Sequence, residues 1–406
     1  MKTGQENLLI YAPVPLYRSE EGLFQESQAC NGLRLWAENF DTVTAMMPVM
    51  TGAPPSGWCP VERIGPNLER ITIVPLPIAY RPDQFLRHLP STKLLIRDQI
   101  ARADYLSFAI GGLFGDWGAV SCYLAYKMGR PYSVWTDRVE SAVVRRTAHV
   151  GNWRNRLRSR LTHRPMFALE KYLIRRSSLG LFHGKETYDT YAPFCTQPEV
   201  VHNIHVRRSE HISAQRLEEK RRSAQSGPLK IAYVGRADAM KGPLEWVAVL
   251  RNLSDSGVDF QATWLGDGPE LAKMRKEILA AGLQDRVRLP GFTNDRQEVL
   301  ALLRDAHLFM FCHKTPESPR CLIEALLSGV PIIGYDGAFA ADLISIEKGG
   351  ILSDLGDIER LTQNVLSLEQ DRRKLARLIY KAATAGSIYD DESVFKHRSD
   401  LIRKYL

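Results

Sequence analysis

The sequence predicts an α/β chain of two domains, each a parallel sheet covered by helices on both faces. Three observations predict this. At 406 residues the chain is long enough for two separate cores. Both halves alternate strand patterns with helix patterns. Between them, residues 207–228 turn highly polar, with Glu218-Glu219-Lys220-Arg221-Arg222 and few large apolar residues.

In the first half, 1–206, Asn7 to Ala12 reads as a buried strand. Leu33, Trp36, Ala37 and Phe40 fall at i, i+3, i+4 and i+7, the spacing of one helix face. Thr42 to Met47, Ile71 to Pro75 and Ala103 to Ile110 read as strands, and Pro13 to Phe24 as a loop. A helix near Ala119 to Met128 leads into the strand Tyr132 to Thr136, and Leu179 to His183 and Val200 to Ile204 close the set. Tyr105 to Tyr126 is apolar and long enough to span a bilayer. Asp116 at its middle and the cluster Gly111, Gly112, Gly115 and Gly118 make it a strand–turn–helix unit instead.

In the second half, 229–390, Leu229 to Val234 is a strand ending at Gly235. Trp246, Leu250 and Leu253 mark a helix opened by Pro243, a residue suited to the first helical position. Gln261 to Leu265, Val287 to Leu289, Leu308 to Cys312, Pro331 to Gly334 and Gly350 to Leu352 alternate with further helical patterns. A last helix, near Glu392 to Tyr405 in 391–406, lies beyond the sheet pattern.

Composition narrows the class. Hydrophobic content of 44% and charge of 25% suit a soluble globular chain. The six cysteines are scattered, without a C-x-x-C pair or a His-spaced ligand set, so a reducing cytosol is the expected compartment. The N-terminus shows no signal-peptide core. No G-x-G-x-x-G follows either first strand, which disfavours a nicotinamide dehydrogenase. The net charge of +8 is concentrated: between Arg138 and Arg176 eleven basic residues face only Glu140 and Glu170. Within that window Trp153, Leu157 and Leu161 fall at i, i+4 and i+8 among Arg154, Arg156, Arg158 and Arg160. Such a basic amphipathic helix suits an anionic membrane surface. A solvated helix is the plainer reading, and no nucleic-acid fold signature accompanies it.

The stretch from Lys314 to Pro331 carries most of the chemistry. A polar loop and two carboxylates, Glu317 and Glu324, lead into an apolar helix beginning near Pro319 and Arg320, and a short buried strand follows. Helix N-termini attract anions, and a carboxylate near one is able to accept sugar hydroxyls, though acidic residues favour first turns in any case. Upstream, Gly235 allows close backbone approach, and Arg236 and Lys241 lie in a loop before a helix. Fixed cations with helix-end amides suit a diphosphate. Gly266-Asp267-Gly268 and Pro290-Gly291-Phe292 each follow a strand.

Together these residues resemble the donor site of group 1 (family 4-like) retaining glycosyltransferases. The resemblance covers Leu229 to about Leu368 in motif and the first half in architecture. It implies the GT-B fold: two Rossmann-like parallel-sheet domains facing a central cleft, with a C-terminal helix packing back on the first. It implies a nucleoside diphosphate sugar of UDP or GDP type as donor, with no metal or other cofactor, and a hydroxyl acceptor. Arg236 and Lys241 would offset charge on the leaving diphosphate, Glu324 would hold the ribose, and Gly235, Gly266, Gly291, Pro319 and Arg320 would border the donor. Phe292 stands either beside the base or in the core. The family separates its two glutamates by seven residues; here six intervene and Pro316 holds the expected place. Either Glu317 still meets the donor sugar, or that role passes to Ser318 or a backbone amide.

For the acceptor, Arg18 lies in a loop that holds one glycine where the family is often glycine-rich. Asp137, at a strand end, is either a group that orients or deprotonates an acceptor hydroxyl or a helix N-cap. His183 ends another strand. The basic segment points to a lipid-linked or polysaccharide-related acceptor and to work at the inner face of the cell membrane. A GT-B sugar-nucleotide epimerase and a non-catalytic nucleotide-sugar or membrane-binding scaffold are the alternatives.

Overall fold

A computed structural model describes residues 5–55, 58–147, 153–202, 204, 206–315 and 319–406. The chain divides into two compact units, Met1–His205 with Asp391–Leu406, and Val206–Asp390.

The first unit is built on a ten-stranded sheet. Its parallel body runs in the order Pro198–Val201, Leu179–His183, Ser133–Thr136, Tyr105–Ala109, Asn7–Tyr11, Thr42–Thr51, with Ile71–Pro77 also paired to Thr42–Thr51. The stretch expected as a loop at Pro13 to Phe24 is instead a hairpin, Leu16–Ser19 against Gly22–Glu26. Its register pairs Tyr17 with Phe24, and Tyr17 packs edge-on to Trp58 of the next antiparallel strand, Trp58–Pro60. Central strands are buried on both faces, which is why they read as unbroken apolar runs.

Helices cover both faces. Leu33, Trp36 and Ala37 of the helix Ser27–Asn39 are buried, as their spacing requires. The glycine cluster after Tyr105–Ala109 folds around Asp116, whose carboxylate accepts from the backbone N–H groups of Gly111, Gly112 and Ala119 at 2.9, 2.9 and 3.0 Å and caps the helix Trp117–Lys127. Among the described residues no helix is long and apolar enough to cross a membrane. The last helix, Asp391–Tyr405, joins this unit: Phe395 meets Trp36 edge-on with centroids 5.0 Å apart, Asn31 donates to Asp391 at 2.7 Å, and Arg403 donates to Glu6 at 2.9 Å.

The second unit holds a six-stranded, wholly parallel sheet in the order Val287–Gly291, Phe260–Leu265, Leu229–Val234, Leu308–Phe311, Ile332–Tyr335, Gly350–Ser353. The polar segment 207–228, expected as a linker, is instead part of this unit. Its helix Ala214–Ser223 sinks Lys220 to 3% exposure, and the ammonium donates to the carbonyls of Leu303 and Ser328 at 2.9 and 2.8 Å. A lysine stem crosses apolar ground while its head caps backbone acceptors, so a charged sequence packs as core.

Candidate functional site

All strands of the second unit run the same way, so the loops after them gather at one edge of the sheet, where open α/β sheets receive ligands. The loop after Leu229–Val234 is held there by backbone contact. Gly266, closing the neighbouring strand, has φ +152°, and a Cβ on it would lie 1.9 Å from the Gly235 carbonyl oxygen. Ala237 N–H donates to the Asp267 carbonyl at 3.0 Å, and the Trp264 indole N–H donates to the Gly235 carbonyl at 3.1 Å. Gly242, left-handed at φ +64°, approaches the strand on the other side; a Cβ there would lie 2.2 Å from the Cys312 carbonyl oxygen. Only glycine fits these two places.

This clamped loop carries two cations. Arg236 is largely exposed and pairs with Asp238 at 3.2 Å. Lys241 ends a short turn, Ala239–Lys241, before the helix Pro243–Asp255. Sequence reasoning did not single out a third cation, Lys314. Its backbone N–H donates to the Met240 carbonyl at 2.8 Å, and its ammonium pairs with Glu245. Beneath them His313 shares a 2.8 Å hydrogen bond with the Tyr233 hydroxyl. Burial, aided by the Lys241 charge, pulls its pKa down to about 3, so it stays neutral.

The helix Arg320–Leu327 begins after Pro319, as expected, with Arg320 exposed at its first position. Glu324 lies one turn in. Arg296, the first residue of the helix Arg296–Asp305, donates to the Glu324 carboxylate at 2.5 Å and to Glu210 at 3.2 Å. Glu210 in turn accepts from the Arg207 backbone N–H at 3.0 Å, and its carbonyl accepts from Arg304 at 2.8 Å. Neither Arg296 nor Glu210 stood out in the sequence, one opening an amphipathic helix and the other buried in a charged run. Gly291 ends its strand at φ +90°, and Phe292 beyond it is 76% exposed, so Phe292 is not a core residue. Glu317 and Ser318 lie outside the described residues.

In the first unit Asp137 is exposed just past Ser133–Thr136, and its charge acts on Arg398 of the last helix. The next helix begins at Glu140, so Asp137 does not occupy its N-cap position. His183 is buried and packs edge-on to His202 with centroids 6.0 Å apart. Burial, with His183 and His397 nearby, pulls His202 down to about 4. Arg18 is exposed on the hairpin. The helix Trp153–Ile174 presents Trp153, Leu157 and Leu161 at 69, 49 and 66% exposure, with Arg160 exposed beside them. The side chains of Arg154, Arg156 and Arg158 lie outside the described residues.

Comparison with known proteins bears on this geometry. Residues 215–385 match the family model "Glycosyl transferases group 1". A 2-deoxystreptamine N-acetyl-D-glucosaminyltransferase of Niallia circulans is 32% identical over 181 residues, 44% of this chain and 42% of that protein. The putative colanic acid biosynthesis glycosyltransferase WcaL of Escherichia coli K12 is 31% identical over 39% of this chain and 41% of that protein. The chain thus spans less than half the length of these curated relatives. The crystal structure of Anabaena Alr3699/HepE in complex with UDP superposes with a TM-score of 0.66 at 15% identity, covering 99% of this chain and 100% of that one. WaaG, a glycosyltransferase involved in lipopolysaccharide biosynthesis, gives 0.59 at 13% identity over 97 and 99%. At such identities the likeness is one of fold, and the fold is GT-B.

Proposed function

From the premise that residues 215–385 belong to the group 1 glycosyltransferases, we propose that the chain transfers a sugar from a nucleoside diphosphate sugar to a hydroxyl acceptor with retention at the anomeric carbon. The observation that carries this reading is the meeting of the family match with the strand-end edge that bears Arg236, Lys241 and the clamped Glu324. The sugar–diphosphate C–O bond breaks and the acceptor oxygen takes the anomeric carbon, its proton going to a base. Arg236 and Lys241 stabilise the charge that grows on the departing diphosphate, an effect largest in the transition state. Glu324 accepts the ribose hydroxyls, and Glu317 with Ser318 holds the sugar. Asp137 orients the acceptor hydroxyl. UDP is the favoured nucleotide, supported by the UDP and UDP-glucose complexes of the Anabaena protein of like fold.

The acceptor is lipid-linked or a growing polysaccharide, and the enzyme works at the inner face of the cell membrane. The exposed stripe Trp153, Leu157 and Leu161 beside Arg160 supports this part. Each charge near an anionic leaflet is worth about 1 kcal/mol. Partitioning onto phosphatidylserine vesicles that survives charge reversal of Arg154, Arg156, Arg158 and Arg160 would count against it.

A thermal-shift screen against UDP, GDP and their sugars tests the donor assignment. Stabilisation of the wild type by UDP, lost in Arg236→Ala and Lys241→Ala, is the expected result. No response to any nucleotide would sink the reading. Product analysis without acceptor separates transfer from epimerisation, which needs none.

A further inference from the structure

Arg398 is a charged group buried among aromatic rings. It sits in the helix Asp391–Tyr405 at 4% exposure. Its guanidinium carbon lies 4.9 Å from the ring centres of Trp36 and of Trp135 and 5.1 Å from that of Phe395. Aromatic faces stabilise the cation but accept none of its in-plane N–H bonds. The Arg398 Nε has no hydrogen-bond partner among the described residues, and neither has the buried indole Nε1 of Trp135, whose ring stands against the guanidinium. Two buried donors without acceptors on neighbouring side chains is an arrangement that folded chains seldom leave unfilled.

The surroundings select the sign of what fills it. Trp135 lies at the carboxyl end of Ser133–Thr136, the edge of the sheet where parallel folds receive ligands. The carboxylate that acts on Arg398 is Asp137, two residues on and itself exposed to water. His183 ends the adjacent strand, Leu179–His183. The donors of Arg398 and Trp135 belong to one cluster and neither has an acceptor among the described residues, which suits an oxygen anion.

We propose that Arg398 and Trp135 form an oxyanion receptor in the first unit that takes a phosphate ester or carboxylate group of the acceptor. The proposal rests on the sugar-transfer reading for the ligand's role, while the receptor itself does not depend on it. An acidic acceptor is seated by its anionic group, and the ring planes of Trp36 and Trp135 fix the plane of the guanidinium that holds it.

The test uses the full chain carrying Arg236→Ala and Lys241→Ala, so that the cations of the second unit do not report. It is titrated by calorimetry at constant ionic strength with methyl phosphate and, separately, with glucuronate. Saturable binding of one or both anions is expected. Arg398→Met should weaken it about tenfold or more, and Trp135→Phe, which keeps the ring and removes the N–H, about threefold. Methyl phosphate alone binding assigns a phosphate ester, and glucuronate alone a carboxylate. No saturable binding of either, or affinity unchanged in the variants, overturns the proposal. Should Arg398→Met not fold, Trp135→Phe decides by the same criterion. Failure of UDP to stabilise the wild type would remove the donor assignment and leave this result standing.

Discussion

Arg296 and Glu324 come from different helices, and the Arg296 guanidinium donates to the Glu324 carboxylate at 2.5 Å. The same guanidinium reaches Glu210, whose own backbone is tied to Arg304. Burial works against the charge on Arg296, but the carboxylates of Glu324 and Glu210 outweigh it and raise its pKa. Glu324 is therefore fixed in direction before any ligand arrives. A carboxylate set in place loses less freedom on accepting two hydroxyls than a swinging one.

Arg296→Met should thus act through Glu324. UDP affinity is expected to fall about tenfold, and Glu324→Gln to cost a similar amount. The double variant should be little worse than either single one, with a coupling of about 1–2 kcal/mol. Calorimetric UDP titration of the four proteins measures this. Strictly additive losses would mean that Arg296 serves only the packing of its helix.

Gly266 is the second lever. A methyl group there would press into the Gly235 carbonyl at 1.9 Å with φ at +152°, a backbone that side chains rarely adopt. Gly266→Ala should destabilise the protein by more than about 3 kcal/mol or displace the Arg236 loop. Gly337→Ala is the control: φ is −169° and nothing lies within 4 Å of a Cβ there, so a loss of no more than about 1 kcal/mol is expected at this helix N-cap. Urea unfolding of both variants gives the comparison. Equal stabilities would refute the close-approach argument.

The pattern of legibility follows from what each residue packs against. Leu229–Val234 and Leu179–His183 appear with the ends their sequences suggest, because a strand covered on both faces must be apolar throughout. The helix Pro82–Arg102 escaped notice: it buries only Thr92, Ile96 and Ile100, carries Pro90 inside, and shows Leu86, Leu94 and Leu95 to water beside its charged residues, which blurs the apolar stripe. The hairpin Leu16–Ser19 with Gly22–Glu26 hid behind Pro13 and Pro15, which read as loop. Arg236 and Lys241 stand out in the sequence because a loop between strand and helix gives cations one obvious use. Arg296 and Arg398 were missed because their meaning lies in partners far along the chain, Glu324 in one case and Trp36 and Trp135 in the other. Local periodicity carries no record of such pairs. Cys30 and Cys59, scattered in sequence, likewise end with their sulfurs 3.6 Å apart.

The buried histidines set the acid side of stability. Burial pulls His307 down to about 4, helped by the charges of Lys230 and Lys220, and its Nδ1 accepts the Lys230 backbone N–H at 3.2 Å. His313 and His202 are pulled down to about 3 and about 4. In the unfolded chain each histidine protonates near its ordinary pKa of about 6.5. Between about pH 6.5 and 4 the unfolded state therefore binds more protons than the folded one, and stability falls as pH falls. Each group contributes at most about 1.4 kcal/mol per pH unit across that window and nothing above it. Urea midpoints should hold level from pH 8 to 7 and drop from pH 6 to 5. His307→Asn, which cannot titrate, should remove about a third of the slope these histidines supply. An unaltered slope in that variant would show that protonation of His307 is not resisted by the fold and that the acid loss comes from other groups.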